Sequence, residues 1–455
     1  MTAVYDVHAK PAASFAQARR AFADGGDDPR RFLERCLERL ESRESEVRAF
    51  VVHDAEGARA QADAAVARWK TGRPLSPIDG APFGVKDCFD VAGWPTRINS
   101  PVFDEAPPAM HDAAHVNSLR HGGAVVLGKT TTTEWTMAAP APTWNPWDLA
   151  RTPGGSSSGS AAAVAAGMLP LATGSQVRGS GIRPASICGT PALKPTFGAL
   201  NRFGGVDPTP SLNHLVLIGA TLEDIWDAAM HIAADIGGDP GRKPLTVVSY
   251  PEARRPLRLA RQYTIGWEKT DAASQAVFER WLRDLKAAGV QILEPGESQE
   301  LADYEDATAN VLDWFFDLFR EMIWPLRALR GAHPDKFSTV MHGHIDKAEA
   351  VTPERYAHAM ERREELRRRH RALKGRVDGF VTLAHIGPGQ IGHPPVGTPW
   401  YNDASSAVGA PTMNLPLLAV DGMPVGVQLM GFEHRDADML AAGRWLMSRI
   451  NADRQ

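Results

Sequence analysis

Three segments of the sequence combine residues that could carry out nucleophilic chemistry. Two are loops rich in glycine and serine, at residues 152–167 and 172–189. Glycine allows successive backbone N–H groups to point into one concavity, which suits a developing oxyanion, and each loop supplies serine hydroxyls. The third segment is the apolar run around Lys86. A lysine removed from water loses its charge more readily and can accept a proton, although Lys86 alone would more simply pair with Asp87 or Asp90.

Two generic motifs near these segments are formal matches only. Residues 123–130 (GAVVLGKT) fit the phosphate-loop pattern GxxxxGK[ST], but their four consecutive apolar residues favour a buried strand over an exposed loop. The pattern GxSxG around Ser157 fits a nucleophile elbow, which needs a strand directly before it. Pro146 and Pro153 disfavour such a strand, so a Ser-His-Asp hydrolase is not the favoured interpretation.

The elements that must position these loops are those of an α/β protein. Apolar runs such as PFGVKD, AVVLG and HLVLIG, separated by Gly, Pro and Thr, are typical of strands in a buried sheet. Residues 14–69 predict two amphipathic helices, and SAAAVAAGM predicts a tightly packed helix directly after a serine-rich loop. We predict a single domain over residues 1–455, in which residues 268–376 form a variable helical insertion.

Composition excludes several classes of function. The 455 residues can bury a large core, and 50 Lys and Arg against 54 Asp and Glu offer no basic surface for nucleic acid or an anionic membrane. Cys36, Cys88 and Cys188 form neither a disulfide framework nor a zinc signature. The histidines show no HExxH pair, so we expect no metal and no organic cofactor. No signal-peptide pattern or long apolar run occurs, so we expect a cytoplasmic monomer or homodimer acting on a small molecule.

The motifs taken together resemble the amidase signature family of serine hydrolases. They are Lys86 in GVKD, Ser156 in TPGGSSSGS and, 24 residues later, Ser180 in VRGSGIRPA. LKPTFG, NDASSAVGAPTMNLP and GMPVGVQLMG follow in the family's order. The resemblance covers most of the chain. It implies the amidase signature fold, a mixed, largely parallel central sheet flanked by helices.

The resemblance also implies a role for each of these residues. Ser180 would be the nucleophile, Ser156 a bridging serine on a cis peptide, and Lys86 the terminal base. The oxyanion hole would be formed by backbone N–H groups of four successive residues: Val177, Arg178, Gly179 and Ser180.

This sequence departs from the usual family pattern at three places. Gln176 stands where aspartate is usual, and Arg183 follows the nucleophile by three residues, a variant that resembles the malonamidase-like branch, whose arginine can meet a carboxylate. Arg178 replaces a glycine and would either line the pocket or pair with an acidic residue. The segment 135–145 is several residues shorter than is usual in the family, which would leave the acyl pocket more open.

An aromatic stripe suggests where the substrate enters. The pattern DWFFDLFREMIW places Trp314, Phe319 and their neighbours on one helix face; such stripes are more often core, but the family commonly forms its pocket mouth here. We predict an open, apolar entrance favouring aryl or bulky amides. The predicted substrate-binding residues are Arg183, Trp135, Trp314 and Phe319.

The sequence thus predicts an amidohydrolase that cleaves a linear amide or carbamate through a seryl acyl-enzyme. Within the same family, the alternatives are a glutaminase-type subunit of a partner-dependent amidotransferase and an aryl carbamate (urethane) hydrolase. A non-catalytic binding protein on the same fold is the remaining alternative.

Overall fold

The computed structural model describes residues 4–9, 13–394 and 399–452. Within this part of the chain, eleven strands form one sheet. The strands are β1 (Phe50–His53), β2 (Pro82–Lys86), β3 (Val125–Thr130), β4 (Leu171–Gln176), β5 (Ala192–Lys194), β6 (His214–Gly219), β7 (Arg258–Arg261), β8 (Gln291–Leu293), β9 (Gly379–Leu383), β10 (Thr412–Val420) and β11 (Met423–Met430). Their order in the sheet is β1-β3-β2-β4-β6-β5-β10-β11-β9-β7-β8.

Helices flank this sheet. The α-helices are α1 (Phe15–Ala18), α2 (Pro29–Val47), α3 (Ala55–Lys70), α4 (Ala114–His121), α5 (Ser158–Ala165), α6 (Ile182–Cys188), α7 (Leu222–Asp235), α8 (Ala272–Ala287), α9 (Gln299–Ala309), α10 (Leu312–Phe315), α11 (Ile323–Ala332), α12 (Thr339–Glu349), α13 (Pro353–Ala372), α14 (Asp403–Val408) and α15 (Asp436–Ala452). Short 3-10 helices span Arg19–Ala21, Pro101–Phe103, Glu134–Thr136, Trp267–Lys269, Pro295–Glu297, Phe316–Met322 and Pro334–Lys336.

The sheet is mixed, as predicted. β2 pairs in parallel with β3 and β4, and β7 pairs in parallel with β8 and β9. The other six neighbouring pairs of the described strands are antiparallel, so parallel pairing is the smaller share rather than the larger one. The predicted class, a mixed α/β sheet flanked by helices, is confirmed.

The strands nearest the predicted site are neighbours in the sheet, in the order β3-β2-β4. β2, β3 and β4 are buried along their whole length, which explains their continuous apolar runs. Residues 125–130 of the stretch GAVVLGKT form strand β3 and not a loop, as their apolar residues indicate. Helix α5 packs closely against its neighbours because its residues are small: a Cβ on Gly159 would lie 2.1 Å from the carbonyl oxygen of Ala49.

Residues 268–376 are mostly helical, but they also include strand β8, which extends the sheet beside β7. The predicted aromatic stripe does not lie on one continuous helix. It is divided between α10, the 3-10 helix Phe316–Met322 and α11. None of the helices in the described residues is both long and apolar enough to cross a membrane.

Candidate active site

Lys86 ends strand β2 and is buried completely. Its Nζ donates to Ser156 Oγ at 2.7 Å and to Ser175 Oγ at 2.8 Å. Asp87 is not its partner, because the Asp87 carboxylate pairs with Lys129 at 2.7 Å. Loss of hydration on burial lowers the pKa of Lys86 to about 8, so a neutral amine is accessible near neutral pH.

Ser156 lies in the loop before α5, and the Gly155–Ser156 peptide is cis, as the resemblance implies. The loop is held on both sides of this peptide. Arg183 Nε donates to the Gly155 carbonyl oxygen at 3.0 Å, and the backbone N–H of Thr133 donates to the Ser156 carbonyl oxygen at 3.4 Å. These contacts fix the Ser156 backbone beside Lys86.

Ser180 follows β4 in the loop that leads into α6, and its side chain is partly exposed. The backbone N–H of Ser157 donates to the Ser180 carbonyl oxygen at 3.0 Å, which ties the two serine loops together. Gln176 closes the Ser180 loop: its Oε1 accepts from the N–H groups of Gly181 and Ile182 at 3.0 and 2.9 Å. The amide at position 176 therefore fixes the turn.

The predicted oxyanion stretch offers unused donors. Among the hydrogen bonds of the described residues, none uses the backbone N–H groups of residues 177–180. Gly179 has no room for a side chain, since a Cβ there would lie 2.3 Å from Asn402 Oδ1 and 2.7 Å from Pro399 Cβ. The close approach explains why glycine stands at this position.

The sequence left two alternatives for Arg178, lining the pocket or pairing with an acidic residue. In the structure it does both. Its Nε and Nη2 donate to the two carboxylate oxygens of the buried Asp403 at 2.6 and 2.7 Å. The guanidinium also lies over the Phe316 ring, with Cζ 4.6 Å from the ring centroid. Its charge is thus compensated at the edge of the site.

Arg183 is buried, and two of its nitrogens, Nε and Nη2, donate to the Gly155 carbonyl oxygen. The third, Nη1, has no hydrogen-bond partner among the described residues, and the side chain lines the cavity beside Ser180. Loss of hydration, together with the nearby charge of Arg178, lowers the pKa of Arg183. One edge of this guanidinium therefore holds the Ser156 loop and the other can meet a substrate.

A small cavity of about 80 Å³ opens at Ser180. It is lined by Thr136, Met137, Val177, Arg178, Gly179, Ser180, Arg183, Phe316, Phe319, His344 and Pro399. Phe319 belongs to this lining, and its role in binding substrate stays a prediction.

Trp135 and Trp314 are not part of the cavity lining. Trp314 is only 5% exposed within the core. Trp135 is buried, its ring stacked on Phe337 with centroids 5.7 Å apart. Phe337 thus packs over this side of the short segment 135–145. The open entrance stays a prediction.

Several residues of the site were missed by sequence reasoning. Ser175, the second acceptor for Lys86, lies within the buried strand β4. The available signal was a hydroxyl group in a strand that is buried along its whole length. Phe316 and Asp403 lie in segments that the sequence singles out, but their own positions at the site, like that of His344, depend on the tertiary fold.

Comparison with known proteins identifies similar sequences and similar structures. The Amidase family profile matches residues 31–440. The A subunit of glutamyl-tRNA(Gln) amidotransferase from Roseiflexus castenholzii is 31% identical, covering 94% of both chains. A crystal structure of an amidase superposes with a TM-score of 0.83 at 27% identity, covering 96% of this chain and 99% of that one. Peptide amidase from Stenotrophomonas maltophilia shares the fold, with a TM-score of 0.77 at 24% identity, covering 96% and 97% of the two chains.

The site holds a buried lysine, a serine on a cis peptide and a second serine in a glycine-rich turn. The Amidase profile identifies the protein as a hydrolase acting on carbon–nitrogen bonds. The chain belongs to the amidase signature family.

Proposed function

We propose that this enzyme hydrolyses a linear amide through an acyl-enzyme on Ser180, with Ser156 and Lys86 as a proton relay. The contact between Lys86 Nζ and Ser156 Oγ, at 2.7 Å in a buried site, is the observation that carries the proposal. The pKa of about 8 at Lys86 supports it, because a base must be able to lose its proton near neutral pH.

The proposed reaction uses the side chains of Lys86, Ser156 and Ser180, with water as the second reactant. Neutral Lys86 accepts a proton from Ser156, Ser156 accepts the proton of Ser180, and Ser180 Oγ bonds to the carbonyl carbon. Backbone N–H groups of residues 177–180 stabilise the oxyanion. The carbon–nitrogen bond breaks as the carbonyl forms again; Ser156 gives a proton to the nitrogen, and Lys86 returns its proton to Ser156. Water then attacks the ester carbon and passes a proton through Ser156 to Lys86. The bond from the carbon to Ser180 Oγ breaks, the carboxylic acid is released, and the proton returns through Ser156 to Ser180.

The direct test is covalent labelling with a fluorophosphonate followed by peptide mapping. We expect a single phosphonylated residue, Ser180, because Ser180 is partly exposed whereas Ser156 and Ser157 are buried. An adduct on Ser156 or Ser157, or no adduct with a protein that still cleaves amides, would contradict the assignment.

A glutaminase-type subunit of a partner-dependent amidotransferase is the second candidate. It is supported by the 31% identity, over 94% of both chains, to a protein named as the A subunit of a glutamyl-tRNA(Gln) amidotransferase. A protein of this kind should co-purify with a partner and hydrolyse glutamine poorly alone. A self-sufficient amidase should cleave at least one member of a panel of amides, anilides, carbamates and esters without a partner. The carbamates in the panel also test the urethane-hydrolase alternative.

We expect kcat/KM for a neutral amide to rise with pH, with a midpoint near 8. Lys86 holds its proton below its pKa of about 8 and cannot accept another, so activity is lost as the pH falls through that value. The measurement is a kcat/KM profile from about pH 6 to pH 10 with an uncharged substrate. A profile that is flat, or falls with pH across this range, would exclude Lys86 as the base.

We expect Arg183→Leu to lower kcat for all amides. We also expect it to raise KM for substrates with a carboxylate near the scissile bond. The first effect follows from losing the hold on the Gly155 carbonyl, and the second from losing the unpartnered Nη1. A hydrogen bond to a charged group contributes about 1.5–3 kcal/mol, so KM for these substrates should rise roughly tenfold or more. The measurement compares kcat and KM for malonamate with those for acetamide. If the two substrates lose activity equally, Arg183 has only its structural contact with Gly155.

A further inference from the structure

Phe316 places an aromatic ring at the catalytic cavity that the proposed proton relay does not use. It begins the 3-10 helix Phe316–Met322 and is 41% exposed, whereas the neighbouring rings of Phe315 and Phe319 are 0% and 8% exposed. The ring lines the same cavity as Ser180. A large apolar side chain exposed next to a reactive serine gains free energy when a ligand covers it.

The Phe316 ring is held by contacts on its own side of the site. Arg178 Cζ lies 4.6 Å from the ring centroid, which is a cation–π distance, and Phe319 packs edge-on with centroids 5.6 Å apart. Arg178 is in turn fixed by two hydrogen bonds to the buried carboxylate of Asp403. The ring is therefore oriented before any substrate arrives, which lowers the entropic cost of binding.

Arg178 also joins this ring to the reacting centre. Its backbone belongs to the predicted oxyanion stretch, two residues before Ser180, and its carbonyl oxygen accepts from Ser406 Oγ at 2.6 Å. Its side chain carries the contact with Phe316. Because one residue makes both contacts, the position of the ring is coupled to that of the loop that bears Ser180.

We propose that Phe316 is a specificity-determining residue on which a flat, apolar group of the substrate packs, with Arg178 as the positioning residue that holds the ring. The inference rests on the proposed amide hydrolysis and adds the substrate class, amides with an aryl substituent. The aryl group is attached either to the carbonyl carbon or to the nitrogen, and each arrangement brings it next to Ser180.

The test compares kcat/KM for acetamide, benzamide and acetanilide in the parent enzyme, Phe316→Ala and Phe316→Leu. Phe203→Ala is the matched control, since Phe203 is also exposed, at 57%, but does not line the cavity. We expect the aryl-to-acetamide ratio to fall about tenfold in Phe316→Ala, less in Phe316→Leu, and not at all in the control. A fall for benzamide places the ring on the acyl side, and a fall for acetanilide places it on the leaving-group side.

Arg178→Leu separates positioning from general structural support. A positioning role predicts that this change lowers the same aryl-to-acetamide ratio, and that combining it with Phe316→Ala lowers the ratio no further. A loss shared equally by all three substrates would make Arg178 structural only. An unchanged ratio in Phe316→Ala, while the fluorophosphonate still labels Ser180, overturns the inference alone. No hydrolysis and no labelling of the parent enzyme would overturn the proposed function as well.

Discussion

Lys86→Ala is expected to lower kcat/KM for amide hydrolysis by about 10³-fold or more, because the base of a catalytic unit cannot be replaced by its neighbours. Lys86 Nζ is the group in contact with Ser156 Oγ, at 2.7 Å. Lys86→Arg should not restore activity, since a guanidinium with a pKa above about 12 cannot become the neutral acceptor. The measurement is steady-state turnover of a neutral amide, with the fold checked by circular dichroism.

Lys194 supplies a matched control for this experiment. It is also a completely buried lysine, and burial lowers its pKa to about 7. Its Nζ donates to the carbonyl oxygens of Ser405 and Ala410 and contacts no catalytic serine. Lys194→Met should therefore cost stability but leave turnover per folded molecule close to that of the parent. Near-normal activity in Lys86→Ala, with loss of activity in a histidine variant, would instead favour a Ser-His-Asp mechanism.

The parts of the site that could be predicted are those encoded locally. Lys86 lies at the end of an apolar run, and Ser156 and Ser180 lie in glycine-rich loops, so residue types within a few positions define each segment. The sheet was predictable for the same reason, because strands buried on both faces have continuous apolar sequences. The balance of parallel and antiparallel pairs was not, since it depends on connections between distant strands.

The parts that could not be predicted depend on contacts between distant residues. Asp403, the partner of Arg178, lies 225 positions away in the chain. Trp135 is covered by Phe337, so its burial could not be inferred from its own short segment. The stripe containing Trp314 shows the same limit: helical spacing identifies an apolar face but not what packs against it. Phe316 and Phe319 of that segment line the cavity, and Phe316 is the more exposed of the two.

Replacing each of the two serines of the proposed relay by alanine should have a different effect. Ser180→Ala should abolish both turnover and fluorophosphonate labelling, because it removes the oxygen that would form the proposed acyl-enzyme. Ser156→Ala keeps that oxygen but removes the hydroxyl that lies 2.7 Å from Lys86 Nζ and that the proposed relay requires. The contact of Nζ with Ser175 Oγ, at 2.8 Å, remains. Ser156→Ala should therefore lower amide turnover by about 10²–10⁴-fold, the range of general acid–base catalysis.

The leaving group distinguishes the role of Ser156 from that of a merely structural residue. An amine must receive a proton as the carbon–nitrogen bond breaks, whereas the phenolate of an aryl ester leaves without one. Ser156→Ala should accordingly lose more activity on an anilide than on the aryl ester with the same acyl group, and Ser157→Ala is the control in the adjacent position. Ser157 Oγ donates to the Ser175 carbonyl oxygen at 3.4 Å rather than contacting Lys86, so its loss should affect both substrates equally. Equal losses in Ser156→Ala on the two substrates would mean that Ser156 only supports the loop and that the proton reaches the amine by another route.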